Sequence, residues 1–416
     1  MDTFTATHRR RPAVAGRHLS PRGAYAVSAA IVGAALFASV APSPLYETYA
    51  RLWGFSSVLL TLVFATYAVG VLAALLLAGR LSDVAGRRPV LAIALSALLA
   101  ATALYIAAQS VTWLFAARGI QGLATGLALG TASAGLLDFH PRQDSEAVSL
   151  TNGVVSAAGL ALGGLASSTL VQFLPAPRVL PYVVVFILFA VALVGVALMP
   201  EPVAAPSRLR LSPQRPHVPS SVRQHFVLAA LAVIAAYSIG GLLFALGPAL
   251  SARVFESTNH LVTGTSLFLL PGAGAIAQLA YGRRSAWVGA ATGAIALAVG
   301  VALIALAAAE TSAAALIVGL VVGGAGFGLA FLGSLRALSA QIPAEHRASV
   351  MSAFFIAAYA ALSIPAVLAG FGAGSLGLDP TFEILGAAVA TIALAVAAQA
   401  WRTRPRTVAC TAGLAM

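Results

Sequence analysis

The chain has 416 residues, of which 60% are hydrophobic and only 9% charged, with a mean hydropathy of +0.94. Soluble globular domains run at about 45–50% apolar and about 25% charged residues, so this composition excludes an ordinary soluble protein and points to a lipid bilayer as solvent. The net charge of +12 does not indicate nucleic acid, because the chain has no lysine and its 24 arginines fall mainly in short segments between apolar runs. The single cysteine, Cys410, can form no intrachain disulfide. His and Cys never cluster at ligand spacing, so neither a metal nor a cofactor is expected.

Taken in order, residues 1–22 form a basic tail in which Arg9, Arg10 and Arg11 precede an apolar run over 23–45. That run exceeds the ~7–15 residues of a signal-peptide core and holds Pro42 and Pro44 near its end, so it reads as an uncleaved first helix. Stretches of roughly 20 apolar residues mark membrane helices. They fall at 23–45, 57–78, 89–109, 113–137, 147–171, 180–199, 226–250, 261–281, 286–308, 312–335, 348–372 and 380–401, twelve in all. Residues 200–225 are rich in Pro, Ser and Arg and cannot bury enough apolar surface to fold alone, so they read as a linker. This divides the chain into a six-helix bundle at 23–199, a second at 226–401 and a tail at 402–416.

Arginine placement sets the orientation. With the N-terminus in the cytoplasm, 20 arginines lie in inside segments and three in outside loops, and Arg118 alone lies within a span. An even number of spans preserves this asymmetry, so both termini are expected in the cytoplasm, in a multi-pass protein of the cell membrane. A faint repeat agrees: Gly86-Arg87-Arg88 recurs as Gly282-Arg283-Arg284, each after the second span of its half, and Pro141 to Ala147 has a counterpart at Pro343 to Ser349. The 39 glycines suit a bilayer, where small residues let helix backbones approach.

The charged loop after the second span reads Gly79-Arg-Leu-Ser-Asp83-Val-Ala-Gly86-Arg87-Arg88-Pro-Val-Leu91. It resembles the loop between helices 2 and 3 of the major facilitator superfamily, G-x-L-x-D-x-x-G-R-[RK]-x-x-[LIV], in residues and in membrane context. The resemblance covers residues 23–401 and implies an all-α integral membrane fold of twelve helices in two pseudo-symmetric bundles, with the cargo site between them. It also implies that the loop latches the cytoplasmic side, Asp83 meeting the start of the eleventh helix near Ala348 and Arg87 pairing with Asp83 and with Asp138. The alternative is that these charges fix topology only. As a carboxylate at a helix N-terminus, Asp83 gains about 0.3–1 kcal/mol.

Arg118, the one ionisable residue well inside a span, costs at least ~2.5–3.5 kcal/mol there unless paired or hydrated. Arg118-Gly-Ile-Gln121-Gly122 resembles the superfamily's fourth-helix motif R-x-x-Q-G, whose arginine is linked to proton transfer in proton-coupled members. Glu47 is the candidate partner; snorkelling to the interface is the alternative. In the fifth span, Gly159, Gly163 and Gly164 keep the small residues of the antiporter pattern, but its proline is absent, which weakens an antiport assignment. No Asp or Glu lies deep in a span, so with Arg118 present the cargo is expected to be neutral or anionic. Tyr25, Tyr67, Asn152, Tyr237, Ser238 and Gln278 are candidate cargo contacts or inter-helix bonds.

The expected function is secondary transport of a small organic molecule by a monomer, as efflux coupled to protons. The alternatives are an uptake symporter or facilitator for a metabolite or sugar, a non-transporting sensor, and a membrane enzyme. The last is disfavoured because no paired carboxylates, histidine cluster or metal site is visible.

Overall fold

The computed structural model describes residues 18–78, 81–203, 217–281, 284–343 and 346–402. In hydrocarbon every backbone N–H and C=O must find its partner within the protein, and for apolar runs of this length the helix meets that demand. Twelve long helices result: α1 (Pro21–Val40), α2 (Ser57–Ala78), α3 (Arg87–Ile106), α4 (Val111–Phe139), α5 (Ser145–Phe173), α6 (Leu180–Leu198), α7 (Arg223–Val254), α8 (Thr265–Tyr281), α9 (Ala286–Glu310), α10 (Ala313–Ser339), α11 (Arg347–Ser375) and α12 (Leu378–Arg402). Among the described residues eleven are long and apolar enough to cross a membrane; α8 is shorter, but the single turn His260–Thr263 precedes it and extends its reach.

Polar residues in the short connections start several helices by taking up orphan amides. Ser20 accepts from Gly23 N ahead of Pro21, Asp144 accepts from the amides of Glu146 and Ala147, and Ser285 and Ser312 cap α9 and α10. Two of the ends that differ from expectation bear on the site. α1 stops at Val40, because Pro42 and Pro44 supply no amide hydrogen; a 3-10 turn over Ser43–Leu45 and a helix over Tyr46–Trp53 follow. α10 continues to Ser339, since nothing before Pro343 breaks it, and this brings Arg336 into its last turn. Of the linker, residues 204–216 lie outside the described residues.

Helices α1–α6 pack as one bundle and α7–α12 as the other, and the halves meet chiefly along two pairs, α2 with α11 and α5 with α8. Within each half, helices approach closely at glycine. A side chain at Gly122 would strike the Tyr67 carbonyl of α2, one at Gly241 the Leu362 carbonyl of α11, and one at Gly326 the Leu297 backbone of α9. With no hydrophobic drive between helices in lipid, such contacts supply the van der Waals attraction that holds them. Large apolar side chains such as Val69, Ile93, Val191 and Ile276 are left facing outward.

Candidate transport pathway

Between the halves lies a cavity of about 1030 Å³ on the face that carries residues 18 and 402, formed where α2, α4 and α10 end and α5, α9 and α11 begin. Its wall mixes Ser133, Ser149, Ser339 and Ser352 with Leu75, Met351 and Phe355. Among the described residues three charged side chains line it, Asp83, Glu146 and Arg336, and Arg336 forms an ion pair with Glu146 across the two halves.

At the opposite face the halves are in contact. Ser57 Oγ donates to the Gly370 carbonyl at 3.2 Å, and the His260 amide donates to Gln172 Oε1 at 2.7 Å. Gly164 of α5 lies against Leu267 of α8, and Gly264 against Ser168. The pathway is therefore open at one end and shut at the other.

Beside the cavity, Arg87 gathers the charged loop. Its Nε donates to Asp138 Oδ2 at 2.9 Å and its Nη1 to Asp83 Oδ1 at 2.5 Å and Ser82 Oγ at 2.6 Å. The Asp83 side chain, 57% exposed, faces the open cavity; the side chains at 347–348, where it was expected to meet α11, and Gly79 itself lie outside the described residues.

A residue without any sequence signature completes this cluster. Glu201 accepts from the amides of Arg87 and Arg88, each at 2.9 Å, and from Val203 N at 3.1 Å, while Arg88 Nη2 donates to the Ala197 carbonyl at 2.6 Å. The carboxylate thus caps the positive end of α3, which has no N-cap side chain of its own. Gly86 makes room: its φ is +96°, and a Cβ there would sit 2.8 Å from Glu201 Oε2.

Arg118 is completely buried. Nε donates to the Tyr46 hydroxyl at 2.7 Å, Nη2 reaches the same oxygen, and Nη1 donates to the Ser39 carbonyl at 2.9 Å and to Gln121 Oε1 at 2.8 Å. The rings of Tyr46 and Tyr67 lie 5.4 and 5.2 Å from the guanidinium carbon. Glu47, the expected partner, is exposed; it points away because it stands one residue, and so about 100° of helix turn, from Tyr46. Among the described residues, the acceptors of Arg118 are neutral oxygens.

The cage has a clear backbone purpose. Pro42 cannot donate to the Ala38 carbonyl, and the end of α1 orphans its neighbours. Gln121 Nε2 donates to Ala38 O at 2.9 Å, Arg118 serves Ser39 O, and Ser167 Oγ donates to Ala41 O at 2.6 Å. Tyr105 OH adds a bond to Gln121 Oε1 at 3.1 Å. Gly122 lets α2 and α4 approach, so that this motif faces α1. On α5, Gly159 and Gly163 meet the Gly33 and Phe37 carbonyls of α1, whereas Gly164 faces the other half.

None of the six expected cargo contacts lines the cavity in this conformation. Tyr25 OH donates to Thr151 at 2.9 Å, and Asn152 Oδ1 accepts from Ser133 at 3.2 Å. Tyr67 stacks beneath Arg118, and Tyr237 joins Phe327, Phe331 and Tyr359 in an aromatic group. Ser238 is buried in α7. Gln278 donates to the Gly328 carbonyl at 3.1 Å, and its Oε1 sits where a side chain at Gly153 of α5 would be.

Two six-helix bundles closing around a one-sided cavity define a multi-pass membrane transport protein rather than an enzyme. The sequence matches the Major Facilitator Superfamily over residues 25–364, and the chain belongs to that superfamily. The crystal structure of the human organic anion transporter MFSD10 (TETRAN) has the same fold, with a TM-score of 0.66 at 19% sequence identity, covering 91% of this chain and 100% of that one. No curated protein matches the sequence.

Proposed function

We propose that this protein moves a small organic molecule, neutral or anionic, across the cell membrane by alternating access, exporting it in exchange for protons and working as a monomer. The face carrying residues 18 and 402 is assigned to the cytoplasm, on the arginine distribution. The observation that carries the proposal is the cavity of about 1030 Å³ between the halves, open at one end while α2–α11 and α5–α8 seal the other. Rocking of the halves about those two seams would exchange the open and closed ends. The Arg87 cluster stands where it can bias the two states, and a bias of a few kcal/mol is enough to control their populations.

Among the described residues the two acids lining the cavity are each matched by an arginine, Asp83 by Arg87 and Glu146 by Arg336. That balance supports a neutral or anionic cargo over a cationic one. The experiment uses inside-out vesicles with an acid interior and a pH-sensitive dye, to which neutral, anionic and cationic compounds are added singly. Proton release on adding a compound is expected. Saturable uptake without proton movement would replace exchange by facilitated diffusion, and absence of both with every compound would overturn the transport proposal.

A further inference from the structure

Arg336 occupies the last turn of α10 and Glu146 the first turn of α5, so their ion pair joins opposite halves at the wall of the cavity. We propose that Arg336 is the anion-recognition residue of this cavity, and that Glu146 is an internal carboxylate which a carboxylate-bearing organic cargo displaces. The proposal rests on the transport reading above.

The asymmetry of the pair decides the charge of the cargo. The Arg336 side chain is 14% exposed and that of Glu146 60%. An anion that displaces Glu146 exchanges one carboxylate for another at the guanidinium, and the released Glu146 is already largely hydrated. A cation that displaced Arg336 would instead strip the carboxylate from a side chain with little access to water, which is the costly direction. Asp83, the other acid on the wall, is held by Arg87, which leaves Arg336 as the one cation lining the cavity among the described residues.

The surroundings fit an organic acid. Ser339 and Ser149 also line the cavity, each three residues from its charged partner and so on the same helix face. Met351 and Phe355 on α11 provide apolar surface for the body of the molecule, the usual division of labour in a small-molecule site. Displacement of Glu146 also unties an ionic contact between the halves on the open side, which links cargo binding to their relative movement.

Thermal unfolding of the purified full-length protein with three near-isosteric probes tests this: indole-3-acetate, its neutral amide indole-3-acetamide, and the cation tryptamine. Indole-3-acetate is expected to raise the midpoint saturably, with no comparable effect of the amide or the amine, and Arg336→Gln should abolish the effect. Because Arg336→Gln can also impair folding, Glu146→Gln supplies the second arm. It removes the competing carboxylate, and apparent affinity for indole-3-acetate should rise roughly two- to fivefold, the weight of a partly exposed ion pair. No shift with indole-3-acetate, a larger shift with tryptamine, or affinity unchanged or reduced in Glu146→Gln overturns the assignment. Flux of the same probes separates the two claims. Transport of the amide or amine without binding of indole-3-acetate keeps the transport reading and removes the role of Arg336, whereas binding of indole-3-acetate with no flux of any compound does the reverse.

Discussion

Arg118 shows how a single side chain can hold a charge inside a membrane protein with neutral acceptors. The guanidinium is planar and forked, so two of its nitrogens reach one Tyr46 oxygen while a third bridges Ser39 O and Gln121. An ammonium is a point charge on a flexible stem and cannot span the same set. Arg118→Lys is therefore expected to leave Tyr46 or the Ser39 carbonyl without its donor. Each buried group left so costs about 1–3 kcal/mol. The midpoint of thermal unfolding should fall and transport should be lost, although the charge is kept. A wild-type midpoint with wild-type transport would show that the fork geometry is not used.

The same residue marks where sequence reasoning stops. Its placement inside a span and its R-x-x-Q-G context were legible, because hydropathy and motif both act locally. Its partner was not. A search for a charge selects Glu47, whereas the fold supplies the adjacent phenol, and only the break at Pro42 explains why carbonyls of α1 need donors from α4. Glu201 was hidden for a similar reason: a cap contributed 113 residues beyond the amide it serves leaves no trace in local composition.

At the scale of helices, the twelve spans and their order follow from apolar length, and the largest differences lie at the ends. A membrane helix does not stop where lipid stops. α10 runs on into the polar region, so counting apolar residues assigns Arg336 to a loop when it stands on the cavity wall. The short turn His260–Thr263 is another element at the edge of the bilayer, and it carries a titratable group at the closed seam. Burial and the neighbouring Arg51 hold the His260 imidazole below its ordinary value of 6.5, with Glu47 acting weakly in the opposite direction. A depressed pKa means that the neutral form is favoured when the seam is intact. The stabilisation is present above the ordinary value of 6.5 and is lost progressively as pH falls below it through the depressed value of the intact seam, because a chain with the seam disrupted gains the proton first. The unfolding midpoint should therefore fall more steeply between pH 7.5 and 5.5 in wild type than in His260→Gln. Parallel pH profiles would remove His260 from the seam's energetics.

For the whole molecule, the two kinds of glycine contact have different obligations. Gly122, Gly163, Gly241 and Gly326 meet backbone within their own half, whereas Gly164 and Gly264 face the opposite half at the closed end, as Gly370 faces Thr61. A contact inside a half has to persist in every conformation, since each bundle carries its own packing through the cycle. A contact across the seam is needed only while that end is shut. Adding a single methyl group at each position thus distinguishes parts that stay together from parts that part company. Alanine at Gly122, Gly163, Gly241 or Gly326 should lower the yield of folded protein. Alanine at Gly164, Gly264 or Gly370 should leave more protein intact but shift it toward the state in which the far end is open, read as greater labelling of a cysteine placed in that seam. Read across the chain, the smallest possible substitution becomes a chart of the moving boundary, written in which variants fail to assemble and which assemble but rest in the wrong position.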